Sequence, residues 1–172
     1  MQKQLFENVC DDSVFSDIYK KYSKDLFDFL YYKFGETFSP EDKMQDAFLK
    51  LLDKCKEVTP EKAKSFLFTV ANNSMLNAVK HQKVVLKYRH IKPKEYTNES
   101  PEFILEQEQF LQNYQKALGT LTEDQRVAFL LNKVEGKTQS EIAEMQGTTR
   151  KAIENRIYVA YKKLKASLDG FQ

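Results

Sequence analysis

Arg150, Lys151, Glu154, Asn155 and Tyr158 follow one another at short helical steps near the end of a 172-residue chain. On one face of a helix these side chains share a chemistry. Arg and Lys neutralise phosphates or bond guanine, Asn pairs with adenine, and Glu accepts from the amino group of cytosine. Thr149 precedes them, and the N–H groups that open a helix add donors for a phosphate. Between them fall Ile153, Ile157, Ala160 and Leu164, a single apolar stripe of helical period. The helix would bury that stripe and present the polar side. An ordinary helical hairpin with a solvated face fits the same pattern, so this segment alone leaves both readings open.

The elements that must position this face are legible nearby. Thr138 and Glu141 form a capping box that opens a short helix with Ile142, Ala143 and Met145. Gly147 in "QGT" is free to take the left-handed conformation and turn the chain. Short helix, Gly-containing turn and longer helix with a polar face is the layout of a helix-turn-helix. Upstream, "LTEDQ" carries a second capping box, Thr122 with Gln125. Val127, Leu130, Leu131 and Val134 line the helix that follows, and Gly136 stops it. Before that, Ser100 and Pro101 open a helix with apolar Phe103, Phe110, Leu111, Tyr114 and Leu118, ended by Gly119.

The first half is helical as well. From Ser13, Phe15, Ile18, Tyr19, Tyr22, Leu26, Phe29 and Leu30 mark one long amphipathic helix ending near Gly35. "SPED" then supplies Ser39 as N-cap and Pro40 at the first helical position, with acids in the first turn. Met44, Ala47, Phe48, Leu51, Leu52 and Cys55 form its inner stripe. "EVTPEKAK" breaks the pattern, and a third helix is expected from near Ser65 past Val79. Lys83, Lys87, Arg89, Lys92 and Lys94 come next with no acid among them, and Glu95 to Glu108 follow with no base among them. "KPKEYTNESP" lies across that change with no apolar periodicity, which marks a linker.

Composition agrees with this outline. Hydrophobic residues make up 41% and charged ones 30%, with 5 Gly and 4 Pro, which favours a packed all-α protein over disorder. The net charge of +2 excludes a wholly basic coat, so any electrostatic footprint for nucleic acid is local. Cys10 and Cys55 have no metal-ligand spacing and are expected as reduced thiols of a cytosolic protein. No apolar run has the length of a signal peptide or membrane span. His81 and His90 lack acids or Cys at ligand spacing. No Gly-rich phosphate loop, nucleophile elbow or catalytic carboxylate pair is present, so no metal, cofactor or enzymatic activity is expected.

Three quoted stretches then carry a resemblance. "SPEDKMQDAFLKLLDKC" resembles the polymerase-binding helix of bacterial sigma factors, with Asp42, Gln45, Asp46, Phe48 and Leu52 at matching positions. "FLFTVANNSMLNAVKHQKV" resembles the next sigma helix, matching at Phe66, Phe68, Asn73 and Asn77; Phe66 stands where Trp is frequent. The "LTEDQ…YVAYKKL" stretch resembles the fourth sigma region, although Glu154 and Val159 stand where basic residues are common.

The family is the extracytoplasmic-function group of sigma-70-type factors. It implies two small helical domains joined by a linker: 1–87, a linker at 88–99, and 100–172 with the helix-turn-helix. It further implies a cytoplasmic, non-enzymatic promoter-recognition subunit with core RNA polymerase, promoter DNA and an anti-sigma factor as partners. Polymerase docking falls to Asp42, Gln45, Asp46 and Lys50. Minus-ten recognition falls to Phe66, Phe68, Asn73, Asn77, Lys80 and Lys83. Minus-thirty-five recognition falls to Thr149, Arg150, Lys151, Glu154, Asn155 and Tyr158. Without the resemblance, the acidic face of the second helix reads as solvated and the two Phe rings as core. A helix-turn-helix regulator that works without polymerase, and a helical adaptor that binds no DNA, are the competing classes.

Overall fold

The computed structural model describes residues 8–78 and 101–168, which fold into seven helices with no strand among the described residues. The all-α expectation holds. The proposed linker at 88–99 lies outside the described residues.

The first helix, α1 (Asp12–Phe34), buries Ile18, Leu26, Phe29 and Leu30 and stops at Gly35, whose φ is 76°. A short turn leads to α2 (Pro40–Asp53), which buries Met44, Ala47, Phe48 and Leu51. The rings of Phe15 and Tyr19 pack on Phe48 at 6.2 and 4.8 Å, so the two helices run antiparallel. Ser39 occupies the N-cap position but makes no side-chain capping bond. Its backbone is left-handed, with φ 47°, which turns the hydroxyl away from the N–H groups that a cap in extended conformation would meet. The main chain serves instead, with the Ser39 carbonyl accepting from the Lys43 N–H at 3.2 Å.

The third helix, α3, spans Pro60–Ala78 as described and therefore starts a turn before Ser65. Pro60 is no breaker here. At the first helical position the missing N–H is needed by no partner.

Cys10 and Cys55 correct a second expectation. They are joined in a disulfide, with Cα atoms 4.9 Å apart. The antiparallel α1–α2 pair brings the residues before α1 beside the end of α2, and Val9, 1% exposed, anchors that segment in the core. Neighbourhood of this kind depends on how α1 and α2 pack, which the two isolated cysteines do not reveal in the sequence.

The second group is α4 (Pro101–Gly119), α5 (Glu123–Lys133), α6 (Gln139–Gln146) and α7 (Arg150–Ser167). Both expected capping boxes are formed, Thr122 with Gln125 and Thr138 with Glu141. Val127, Leu130 and Leu131 are core, but Val134 caps the end of α5 and is 59% exposed. On α4, Leu118 is buried while Phe110 remains partly exposed and stacks on Tyr114.

The two groups pack against each other, α1 on α5 and α3 on α6. Arg126 of α5 is the main polar anchor. Its buried guanidinium donates from Nε to the Tyr32 carbonyl at 2.8 Å and from Nη2 to the Lys33 carbonyl at 2.6 Å. Those carbonyls belong to the last turn of α1, beyond the reach of the regular helical N–H ladder. A cation at that end also complements the helix dipole. Ion pairs flank the anchor: Lys24 with Glu135 at 2.8 Å, Lys137 with Asp25 at 2.8 Å and Lys64 with Glu144 at 2.7 Å. Tyr32 also donates its hydroxyl to Glu135. No helix among the described residues is long and apolar enough to cross a membrane.

Candidate nucleic-acid interface

The turn between α6 and α7 sets the direction of the second helix. Gly147 takes φ 62° and ψ 40°, and the following Thr148 N–H reaches back to the Ala143 carbonyl at 3.0 Å. This left-handed stop closes the end of α6 in three residues. Thr149 then caps α7, its hydroxyl accepting from the Ala152 N–H at 3.2 Å. The Thr138 backbone N–H and hydroxyl hold the Glu141 carboxyl below its ordinary range, which keeps that capping box ionised.

Along α7, Ile153, Ile157, Ala160 and Leu164 are buried as the spacing requires. The opposite side presents Lys151, Glu154, Asn155 and Tyr158, and the N-terminal end presents Thr149 and Arg150, all exposed. Tyr158 is 62% exposed, a large ring on a polar helix face. Arg150 donates from Nε to Gln139 at 3.3 Å, which ties the start of α7 to the start of α6. The structure therefore leaves all six expected minus-thirty-five residues exposed, four on the outer side of α7 and Thr149 and Arg150 at its N-terminal end.

Two basic residues of α7 do a different job. Arg156 donates to Gln146 and pairs with Asp124 at 3.4 Å, while Lys163 donates to Gln125 at 3.2 Å. Both brace α7 against α5 and α6. Their half-turn offset from the outer face was the available signal.

The minus-ten set is divided. Phe68 is 3% exposed and packs edge-on against Phe29 at 5.3 Å, so it is core and not a stacking platform. The expectation for Phe68 is corrected by its position on the inner side of α3, one turn from buried Ala71. Phe66 is partly buried against the core. Asn73 is exposed and lines a cleft of about 140 Å³ with Lys33, Thr69, Asn72 and the Glu144–Gly147 turn. Lys33 donates to Asn72 at 2.9 Å, placing a second amide and a cation beside Asn73. Asn72 did not stand out in the sequence, because Asn73 beside it matched the motif. Lys80, Lys83 and the side chain of Asn77 lie outside the described residues.

On α2, Asp42, Gln45, Asp46 and Lys50 are all exposed on the side away from the core. The same side carries Leu49, 60% exposed, and at its margin Leu52, 44% exposed. Both Leu51 and Leu52 were expected in the inner stripe; Leu51 is buried there, whereas Leu52, one step further round the helix, lies outside it. The outer face thus exposes two leucines among acidic and amide side chains. A Leu one step past the stripe at Phe48 was its sequence signal.

Comparison with known proteins follows the same partition. Residues 18–84 match the family model Sigma-70 region 2, and residues 111–164 match Sigma-70, region 4. The chain is 30% identical over 149 residues to the ferric citrate uptake sigma factor FecI of Escherichia coli (strain K12), covering 85% of this chain and 84% of that protein. In fold it is similar to CnrH in its complex with the cytosolic domain of CnrY, with a TM-score of 0.57 at 21% identity over 91% of this chain and 88% of that one. With both regions matched in chain order and a relative similar over most of its length, the chain belongs to the sigma-70 family, in its extracytoplasmic-function group.

Proposed function

We propose that the chain binds core RNA polymerase in the cytoplasm and directs it to a specific set of promoters. The observation that carries the reading is α7, whose exposed Lys151, Glu154, Asn155 and Tyr158 stand opposite a fully used apolar stripe, with Thr149 and Arg150 exposed at its N-terminal end. In a major groove that face would read the minus-thirty-five element, with Arg and Lys able to take phosphates or guanine and Asn155 able to take adenine.

Domain 1–87 would dock on polymerase through Asp42, Gln45, Asp46 and Lys50 around Leu49. Its Asn73 would hold an unpaired minus-ten base in the cleft beside Lys33 and Asn72. Lys80 and Lys83 would lie along the backbone. Residues 88–99 link it to domain 100–172, and the tether raises the effective concentration of one DNA reader once the other is bound. The polymerase performs the chemistry, so the chain supplies binding energy and no catalytic group. An anti-sigma protein would be a further partner, as the family resemblance implies; CnrH, similar in fold, binds the cytosolic domain of another protein, CnrY.

The test is transcription in vitro from a genomic fragment library with core polymerase and this chain. Discrete promoters are expected. A chain that binds DNA unaided but leaves polymerase inactive would be a regulator, and one that binds neither would be an adaptor. Asn73→Ala should depress strand opening on duplex promoter while leaving polymerase binding intact. A pre-melted minus-ten template should restore the share of the defect that comes from melting.

A further inference from the structure

The Cys10–Cys55 disulfide is attached to the helix that carries the candidate docking face. Cys10 sits in a turn, where the Asp11 N–H bonds the Asn8 carbonyl at 2.9 Å and the Cys10 N–H bonds Asn8 Oδ1 at 3.1 Å. Cys55 follows the last turn of α2. Its N–H bonds the Leu52 carbonyl at 3.2 Å, and the preceding Lys54 N–H bonds the Lys50 carbonyl at 3.1 Å. The sulfur is therefore joined through one turn of backbone to Lys50 and Leu52, which border the exposed face. The cross-link closes a 45-residue loop that contains all of α1 and α2.

Both cysteines are partly exposed, so a small thiol reaches them. In the reducing compartment where polymerase works, a disulfide exchanges with the thiol pool and serves as a redox-responsive bond more than as a permanent staple. We propose that Cys10 and Cys55 are a reversible thiol–disulfide site that reacts with small dithiols and their cyclic disulfides, and that its oxidised form holds the end of α2 in shape for docking. The docking consequence rests on the reading of α2 given above.

The exchange is balanced. One thiolate of a dithiol attacks a protein sulfur, forming a mixed disulfide and releasing the other cysteine as a thiolate, which takes up a proton. The second thiol of the reagent then attacks the mixed disulfide and leaves as a cyclic disulfide, freeing the second cysteine thiol. Two electrons pass from the dithiol to the protein, and the oxidised reagent reverses each step. Once the bond is open, residues 8–11 are held by buried Val9, a two-bond turn and the Phe15 N–H on the Asp11 carbonyl, and the last turn of α2 loses its covalent brace.

The experiment equilibrates the full chain in mixtures of reduced and oxidised dithiothreitol and counts thiols by alkylation and mass spectrometry. Hydrogen exchange across residues 50–55 and affinity for core polymerase are measured on each form. Both thiols should appear together on reduction. Exchange in that turn should rise about tenfold on losing the brace, and core binding should weaken about tenfold as the docking face loses preorganisation. The Cys10→Ser/Cys55→Ser variant should match the reduced form in either buffer. Thiols that do not respond to the dithiothreitol ratio, or exchange that is equal in both forms, would overturn the proposal. Equal polymerase affinity of the two forms would overturn its docking part. If thiols and exchange respond but neither form binds polymerase, the redox site stands and the docking reading of α2 fails.

Discussion

Replacing Arg126 by Met should separate the two helix groups. Met keeps the length of the apolar stem and removes the guanidinium, leaving the Tyr32 and Lys33 carbonyls without their donors. Hydrogen bonds from a charged donor contribute about 1.5–3 kcal/mol each, so the pair contributes about 3–6 kcal/mol to closure. Burial of the cation offsets part of this, since desolvation already holds the Arg126 guanidinium below its ordinary pKa. A net loss of about 2–4 kcal/mol is expected. The flanking ion pairs end on partly exposed groups and contribute about 0–1 kcal/mol each, too little to compensate. Small-angle scattering reads the outcome directly. A closed chain of this length should have a radius of gyration of about 16 Å, and an open pair of tethered groups about 20 Å or more. Because the partners of Arg126 are neutral carbonyls, the closed form should survive about 0.5 M salt in the wild type. If Arg126→Met scatters like wild type and melts at the same temperature, the anchor carries no closing energy.

Glu135 should make closure sensitive to acid. Burial pushes its carboxyl up, but donation from Lys24 and Tyr32 outweighs this and holds it below the ordinary 4.5. A depressed pKa gives stabilisation that is complete above the unfolded value and lost as pH falls through the folded one. Protonating Glu135 should therefore weaken closure only below about pH 4.5 and by about 1 kcal/mol at most, read as a small drop in melting temperature with Arg126 still holding the closed form, and Glu135→Gln should flatten that dependence. Lys151→Ala should reduce the salt slope of promoter binding by about 0.9 if the side chain lies on a phosphate, as salt titrations of the holoenzyme would read. Asn155→Ala should shift discrimination at one base pair of the minus-thirty-five element by about 1–3 kcal/mol, read by selection from randomised sites. Leu49→Asp should weaken core polymerase binding by about 2 kcal/mol while leaving the melting temperature close to wild type, because the side chain is already in solvent.

The parts of the fold that were legible in the sequence are those fixed by neighbours within a few residues. Thr122 with Gln125, Thr138 with Glu141 and the left-handed Gly147 are local contracts, and each was readable from spacing alone. The α7 stripe was equally plain because one helix face meets one core. Pro60 was misread because a proline opening a helix and a proline ending one look alike without the backbone around them. Phe68 and Leu52 were assigned by motif and by stripe, and burial divided them differently from both. Arg126 and the cysteine pair were invisible for a deeper reason. Their partners lie 93, 94 and 45 residues away, and no local pattern encodes which distant surface a side chain will meet.

The donor that completes the end of α1 is also late in time. Arg126 is encoded 94 residues after Tyr32. At a synthesis rate of about 5–20 residues per second, it follows the end of α1 by about 5–20 s. During that interval α1, α2 and α3 must fold with the Tyr32 and Lys33 carbonyls facing water, while Asp28 already has its partner Lys24 from the same helix. The nascent first half therefore closes the Tyr31 carbonyl with its own Gly35 N–H, while the Tyr32 and Lys33 carbonyls wait for the guanidinium that α5 brings.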